Sequence, residues 1–383
     1  MHYTLKFPKK FAINAAFCNR DKLRKSIIES VKTAQHILII APRRYGKSSL
    51  GLISLQEAKI PFERIDLFMA IDEHSINTAI ANGIKTLISK VATPSTLIIK
   101  KLSAYIRSLR VNWSIGINGV SLQLHENQTD DVINNIRNLL LFLEETLKIH
   151  KQKAVLFIDE FQEIGKLGIS KSIEAVIRNV AEGTEYLSFI FSGSHRHLLS
   201  MMFDDDNRPL YNLCDRINLQ RIAAKHYVKF IGDYAKQTWK QDLSKEVYDK
   251  IFLLTERHPN HMNALCRQIW SQYHTKKNPP KADVIDALWD DYVDQTLDQT
   301  ADKLNKVNLS QKKVLISIAN GITTLLTSKH ILAQLNLSSG AITKAVNILL
   351  KEDFIEYKNN ELRIINPVHT AALRKFYSGY VTR

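Results

Sequence analysis

Apolar residues in this chain fall into two kinds of run. Short, mostly apolar blocks occur at His36-Ile37-Leu38-Ile39-Ile40, Ala154-Val155-Leu156-Phe157-Ile158 and Leu187-Ser188-Phe189-Ile190-Phe191. Their length and β-branched or aromatic character predict strands buried on both faces. Phe62-Glu63-Arg64-Ile65-Asp66-Leu67-Phe68 mixes charge into the same kind of block and predicts an outer strand. Between these blocks the spacing turns helical: through Ile27, Ile28 and Val31 with Asp21 placed to cap, from Leu50 to Leu55, across most of 72–150, and from Leu139 to Leu147. Val111 to Leu124 alternates around Gly-Asn turns and predicts a β-hairpin. Met1 to Asn19 has no helical period and reads as a leading arm. Strands alternating with helices predict an α/β fold, a doubly wound parallel sheet.

The pattern changes after about residue 220. Residues 221–300 are helical and polar, ending in an acidic stretch at Asp290, Asp291 and Asp294. Ala301 to Leu309 is a charged connector. Helices follow at Gln311–Ala319, Ser328–Leu335 and Ser338–Leu350, then a hairpin over Phe354–Ile365 that turns at Asn359-Asn360. Three helices and a β-wing predict a winged helix-turn-helix, whose third helix normally enters a major groove. The expected division is 1–220, 221–300 and 301–383.

Composition adds a partner. The 383 residues are 45% hydrophobic and 24% charged, ordinary for a soluble globular protein, but the formal net charge is +15. That excess favours a polyanionic partner, most simply nucleic acid, with lysine-rich solvated faces as the plain alternative. From residue 308 onward ten Lys and Arg stand against four Asp and Glu, a net of +6. The third helix offers Thr343, Lys344 and Asn347 as its clear base-reading side chains, so a protein-contact or autoinhibitory use of this domain stands beside the DNA reading. Leu97 through Arg107 and Arg110 is basic and amphipathic, which fits a helix with its stripe in the core and its lysines in water; contact with a membrane surface or nucleic acid is the sharper alternative. Cys18, Cys214 and Cys266 are far apart and without metal-ligand spacing, so reduced core thiols are expected. Without a secretory pattern or a membrane-spanning run, a cytoplasmic protein with no membrane partner is expected.

The candidate chemistry starts where the first buried strand ends. Ala41-Pro42-Arg43-Arg44-Tyr45-Gly46-Lys47-Ser48-Ser49-Leu50 joins that strand to a helix, the context in which a Gly-Lys-Ser loop cradles a nucleoside triphosphate. Loop N–H groups and the helix N-terminus face the phosphates, which makes Arg44, Tyr45, Gly46, Lys47, Ser48 and Ser49 the candidate binding loop. Lys47 reaches the β and γ oxygens, and Ser48 holds Mg²⁺. Ala41 stands where the motif usually begins with glycine. The second half of the site is Asp159-Glu160, at the end of an apolar strand about a hundred residues downstream. Asp159 suits orientation of the hydrated magnesium and Glu160 suits polarisation of the attacking water. Ser192 and Ser194, at the next strand's tip, both suit sensing of the γ-phosphate or holding of the water, and the sequence does not choose between them. Arg20, just before the first strand, is a base or ribose candidate, with a surface arginine at a helix start as the plain alternative.

With Phe17-Cys18-Asn19-Arg20, Phe157-Ile158-Asp159-Glu160-Phe161-Gln162-Glu163-Ile164, Ser192-Gly193-Ser194-His195-Arg196-His197-Leu198, Asn207-Arg208-Pro209-Leu210-Tyr211 and His258-Pro259 added to the loop, the chain resembles the archaeal-type ATPases of the AAA+ class, near the signalling STAND branch. The resemblance runs over nearly the whole length. It implies a P-loop AAA+ core, a helical lid and a C-terminal winged helix, with ATP and Mg²⁺ as cofactors. It further implies an ATP hydrolase whose nucleotide state controls assembly of a homo-oligomer, with duplex DNA as the surface it assembles on. A STAND-like switch that binds ATP and holds a protein partner is the alternative. By the same resemblance Arg208 is the arginine finger for a neighbouring subunit's γ-phosphate, with Arg216 second; a structural turn residue is the plain reading of Arg208. The lid helix spans His258 to Trp270, with Asn260 or His261 where the family's lid arginine is expected.

Overall fold

A computed structural model describes residues 3–109, 111, 113–118, 121–126 and 131–378. Arg110 and, within the Val111 to Leu124 prediction, Asn112, Gly119 and Val120 lie outside the described residues.

Five strands form one parallel sheet: β1 (Ile37–Ile40), β2 (Phe62–Asp66), β5 (Ala154–Asp159), β6 (Leu187–Gly193) and β7 (Asp215–Asn218), in the order β2-β5-β6-β1-β7. The three mostly apolar blocks form the three inner strands, buried at every position. The charged block, β2, is an edge strand as its polarity required, and β7 is the other edge. Inner strands with no exposed face are covered by helices on both sides, which is why a periodic helical segment follows each of them. Register puts Asp66 level with Asp159 and Ile39 level with Ser192, so the chemistry-bearing tips gather at the sheet's carboxyl edge.

The chain divides into two compact units. The sheet unit comprises 20–43 and 47–219; the helical unit comprises 1–19, 44–46 and 220–383. In the sheet unit the long segment between β2 and β5 holds helices Glu73–Val91, Thr96–Ser108 and Val132–His150 and the antiparallel pair β3 (Trp113–Asn118) and β4 (Ser121–Glu126). Asp72 and Ser75 close a reciprocal capping box at the first of these helices. Thr96–Ser108 buries Leu102 and Ile106 while Lys100, Lys101 and Arg107 are exposed, the stripe-in-core arrangement. Asp21 does not cap its helix: it sits in the first turn, paired with Arg24 at 2.7 Å, and Arg20 is the cap residue at φ 75°.

The leading arm is not free of helix. It carries Tyr3–Lys6 and a 3₁₀ turn at Asn14–Ala16, and Phe7 is 1% exposed against Phe230, Tyr234 and Trp270 of the helical unit. Its partners lie more than two hundred residues away, so no local period announces it. Helices Ala224–Trp239, Lys245–Thr255, Pro259–Tyr273 and Asp283–Asp294 pack around Trp270 in one cluster. Helices Leu309–Ala319, Lys329–Leu335 and Ser339–Lys351 with the hairpin β8 (Ile355–Lys358) and β9 (Glu361–Ile364) form a second. Asn359 and Asn360 take φ 52° and 64°, the left-handed pair that a two-residue turn needs. Helix Pro367–Tyr377 serves both clusters, with Val368 and Ala372 in the first and Leu373 in the second. Among the described residues no helix is long and apolar enough to cross a membrane.

Candidate nucleotide site

β1 runs into the loop at Ala41 and the chain re-enters a helix at Lys47–Ala58. Such a tight reversal needs left-handed backbone, and Arg44 (φ 64°) and Gly46 (φ 86°) supply it. Lys47 is 5% exposed, its ammonium donating to the Ala41 and Pro42 carbonyls at 3.1 and 3.3 Å. It is therefore curled over the loop that precedes it, the posture from which a lysine meets phosphate oxygens.

Ser48, next in the helix, donates its hydroxyl to Asp159 Oδ2 at 2.5 Å. That bond joins the two halves of the motif across 111 residues of chain. Asp159 is 2% exposed at the tip of β5. Its Oδ1 takes the Ser192 hydroxyl from β6 and the Glu160 N–H at 3.2 Å. Its Oδ2 takes, besides Ser48, the Arg64 guanidinium from β2 through Nε at 3.0 Å and Nη2 at 2.6 Å. Burial alone would raise this carboxyl, but the Ser192 and Ser48 hydroxyls and the Arg64 charge outweigh it and hold Asp159 below the usual carboxylate range. It is a carboxylate at neutral pH.

Glu160 turns out of the strand at φ 53°. Its Oε2 accepts from the Ser194 hydroxyl at 2.7 Å, the Ser194 N–H at 3.2 Å and Gln162 Nε2 at 2.7 Å, while Oε1 has no hydrogen-bond partner among the described residues. Ser194 is itself held by Arg43 Nε at 3.2 Å. The two serines thus do different things: Ser192 is on Asp159 and Ser194 is on Glu160. Gly193 between them leaves room for the Gln162 amide, since a Cβ there would meet Gln162 Oε1 and Leu199 Cδ1 and the side chains would have to shift.

Ser49 is buried in the first turn after Ser48, and Arg20 is buried at the start of helix Asp21–Lys32. Arg44, Tyr45 and Gly46 belong to the helical unit, where the Tyr45 hydroxyl accepts from Arg221 Nε at 3.0 Å and its ring meets His258 edge-on at 4.8 Å. Arg208 turns inward: Nε is 3.0 Å from Glu174 Oε2, Nη2 is 3.0 Å from Ser170 Oγ, and Nη2 also pairs with Glu174 Oε1. Glu174 is fully buried, so this pair reads as internal structure of the sheet unit. Arg216 pairs with Asp204 and with Ser200 at 2.9 Å and is more exposed, 34% against 16% for Arg208. Sequence reasoning missed Arg64, Arg43 and Gln162. Gln162 lay in plain view in the Asp-Glu-Phe-Gln string, and Arg64 was signalled only by a cation in the strand that ends level with Asp159.

The donor set suits magnesium. A serine hydroxyl bonded to an ionised carboxylate offers hard oxygens with little soft or nitrogen competition. Among the described residues no group of three or more His, Cys, Asp or Glu is arranged to hold a metal by protein ligands alone. A hydroxyl plus one carboxylate is what a magnesium bound with substrate phosphates requires.

No family model matches the sequence, and no curated protein matches it either. Solved structures do. The Walker-type ATPase PABY2304 of Pyrococcus abyssi is similar at 15% identity over 97% of this chain and 99% of its own, with a TM-score of 0.69. The ORC2 protein of Aeropyrum pernix, in its ADPNP–ADP complexes, is similar at 11% identity over 94% and 92%, with a TM-score of 0.53. At such identities the likeness speaks for the fold alone, an α/β fold with helices packed on a five-stranded parallel sheet, shared with a protein described as a Walker-type ATPase.

Proposed function

We propose that this chain binds ATP with magnesium at the carboxyl edge of the sheet and hydrolyses it. The observation that carries the reading is the Ser48–Asp159–Ser192 arrangement beside a Glu160 with one oxygen held and the other open. Lys47 neutralises the β and γ oxygens. Ser48 and Asp159 would hold magnesium, which when bound offsets charge on the phosphate oxygens. Glu160 orients and deprotonates the attacking water through Oε1, while Ser194, Gln162 and Arg43 fix the carboxylate so that little reorganisation is needed. Ser192 holds Asp159 in register with the loop.

We further infer that nucleotide state controls assembly of several copies on duplex DNA. The excess of positive charge supports this, and so does helix Ser339–Lys351, which leaves Thr343, Lys344 and Asn347 exposed in a winged-helix arrangement. A switch that uses the same domain on a protein partner is favoured by a different observation. Arg221 ties Tyr45 of the loop to Glu256 at 2.7 Å and to the Ile365 carbonyl at 2.7 Å beside β9. DNA affinity that falls steeply with salt supports the first; affinity absent at low salt leaves the second.

The chemistry is tested by calorimetry and phosphate release together. Lys47→Ala should lose ATP and ADP binding. Glu160→Gln should bind ATP as the wild type does and turn over roughly 10²–10⁴-fold more slowly. Unchanged turnover in that variant removes Glu160 from its role, and failure of the wild type to take up either nucleotide removes the site.

A further inference from the structure

Asp159 carries more donors than a carboxylate has places for. Five reach its two oxygens: Ser48 Oγ, Arg64 Nε and Arg64 Nη2 at Oδ2, and Ser192 Oγ and the Glu160 N–H at Oδ1. A carboxylate offers about four lone-pair sites. A metal-bound water that is to donate to Asp159 therefore finds a free site only if two of the five leave.

Three are fixed by the fold. Ser48 is held in the first turn of its helix, Ser192 within an inner strand, and the Glu160 N–H by the peptide bond itself. Arg64 differs in kind. It comes from an edge strand, its side chain is 22% exposed, and it reaches Asp159 through a long flexible stem. It also has a second carboxylate in hand: the same Nη2 lies 2.7 Å from Asp66 Oδ2, two residues on along β2, and Asp66 is 43% exposed. The Phe68 N–H holds the other oxygen of Asp66 at 3.1 Å, which keeps that carboxylate facing the arginine. Arg64 can leave Asp159 and remain paired.

We propose that Arg64 is a displaceable internal cation that competes with magnesium for Asp159, with Asp66 receiving it when it is displaced. The competition makes tight nucleotide binding depend on magnesium supply more steeply than Ser48 and Asp159 alone would. Arg64 is thus a positioning residue. The proposal rests on the nucleotide-site reading above and goes beyond it in assigning a residue outside the loop and the acidic strand tip.

The test is the affinity for ADP measured by calorimetry in EDTA and across a magnesium series. It compares the wild type with Arg64→Gln, Arg64→Lys and Asp66→Asn, and each variant's thermal unfolding in EDTA reports whether it is folded. Arg64→Gln removes the competing charge and should lower the half-saturating magnesium concentration about tenfold, the scale of one charge-assisted hydrogen bond. Arg64→Lys keeps the charge without the fork and should fall between. Asp66→Asn takes away the receiving carboxylate and should raise the magnesium requirement. In EDTA, Arg64→Gln should melt below the wild type, and magnesium with ADP should restore more than it does for the wild type. If Arg64→Gln does not fold, the opposite shifts of Arg64→Lys and Asp66→Asn carry the test. Equal magnesium dependence in all four proteins overturns the proposal, as does a higher requirement in Arg64→Gln, while ADP binding in those same titrations leaves the nucleotide site standing. No ADP uptake by the wild type at any magnesium concentration overturns the site itself.

Discussion

The sheet unit and the helical unit differ in the titratable groups they bury most of. The sheet unit buries a lysine and two carboxyls with polar partners: Lys47, Asp159 and Glu174 are each at most 5% exposed, beside one imidazole, His36, that burial holds low. The helical unit buries imidazoles and keeps them neutral. His258, His261 and His369 are at most 6% exposed, and all three are held below the ordinary histidine value, chiefly by burial. Arg221 is the exception there, paired with Glu256. Burying a charge is costly unless it is paired and hydrogen-bonded, so a unit that keeps several is spending stability on something other than packing. In the sheet unit two of the three sit at the carboxyl edge where the phosphates are proposed to bind. The third, Glu174, is where the comparison can be broken most sharply.

Glu174→Ala leaves the Arg208 guanidinium half inside the protein with only Ser170 for company. Breaking such a pair costs about 3–5 kcal/mol. Chemical denaturation of the purified variant should show that loss, and Arg208→Ala a comparable one. If both variants instead unfold like the wild type and Arg208→Ala abolishes turnover, Arg208 acts on a neighbouring subunit and the pair is incidental.

The helical unit should fail in acid. His261 and His369 are held to about 3, against about 6.5 in an unfolded chain. For His261 the causes after burial are His369 and Arg44, with Tyr292 3.0 Å from its ring and Asn366 pulling the other way; for His369 the second cause is Lys303. Between pH 3 and 6.5 the unfolded chain takes up protons that the folded one refuses, so stability rises with pH across that window. It is fully present above about 6.5 and drains away below. At pH 5 each histidine should have lost about 2 kcal/mol relative to neutral pH. Tryptophan fluorescence reads this unit well, since Trp239, Trp270 and Trp289 lie in its core. His369→Gln should flatten the slope; an unchanged urea midpoint from pH 7 to 5 would show that the buried rings are not what the acid reaches.

How far this was legible in the sequence follows from whether partners are near in the chain. β1, β5 and β6 were readable because a strand buried on both faces is a mostly apolar word, and Lys47, Ser48 and Asp159 because the loop lies a few residues past one such word and Asp159 ends another. The alternation of strands and helices likewise foretold the sheet. Phe7 was not readable, because its core lies beside Trp270. Asp21 as a cap was a sound local inference that the left-handed Arg20 overrode. Ser192 and Ser194 could not be separated, since side chains two apart on a strand share a face, and only the turn of Glu160 at φ 53° divides them between two carboxylates. Arg64 required knowing which strand lies next to β5, and strand order is invisible to a periodicity.

The smallest effect bears on the loop residue whose surroundings are least like the sequence expectation. Tyr45 was expected among the phosphate-binding residues, yet its hydroxyl accepts one bond from Arg221, and its ring lies against His258. Tyr45→Phe keeps the ring and removes that acceptor. Arg221 retains the Glu256 carboxylate, the Glu256 carbonyl and the Ile365 carbonyl at 2.7, 2.9 and 2.7 Å, so only Nε loses its partner. The cost should be about 1 kcal/mol in the urea unfolding of the helical unit. ADP affinity should change less than about twofold, because a contact with phosphate through a charge-assisted bond would be worth more than that. An ADP affinity reduced tenfold or more with stability intact would put the hydroxyl on the nucleotide after all. The helical unit would then share in the charge-handling that distinguishes the sheet unit.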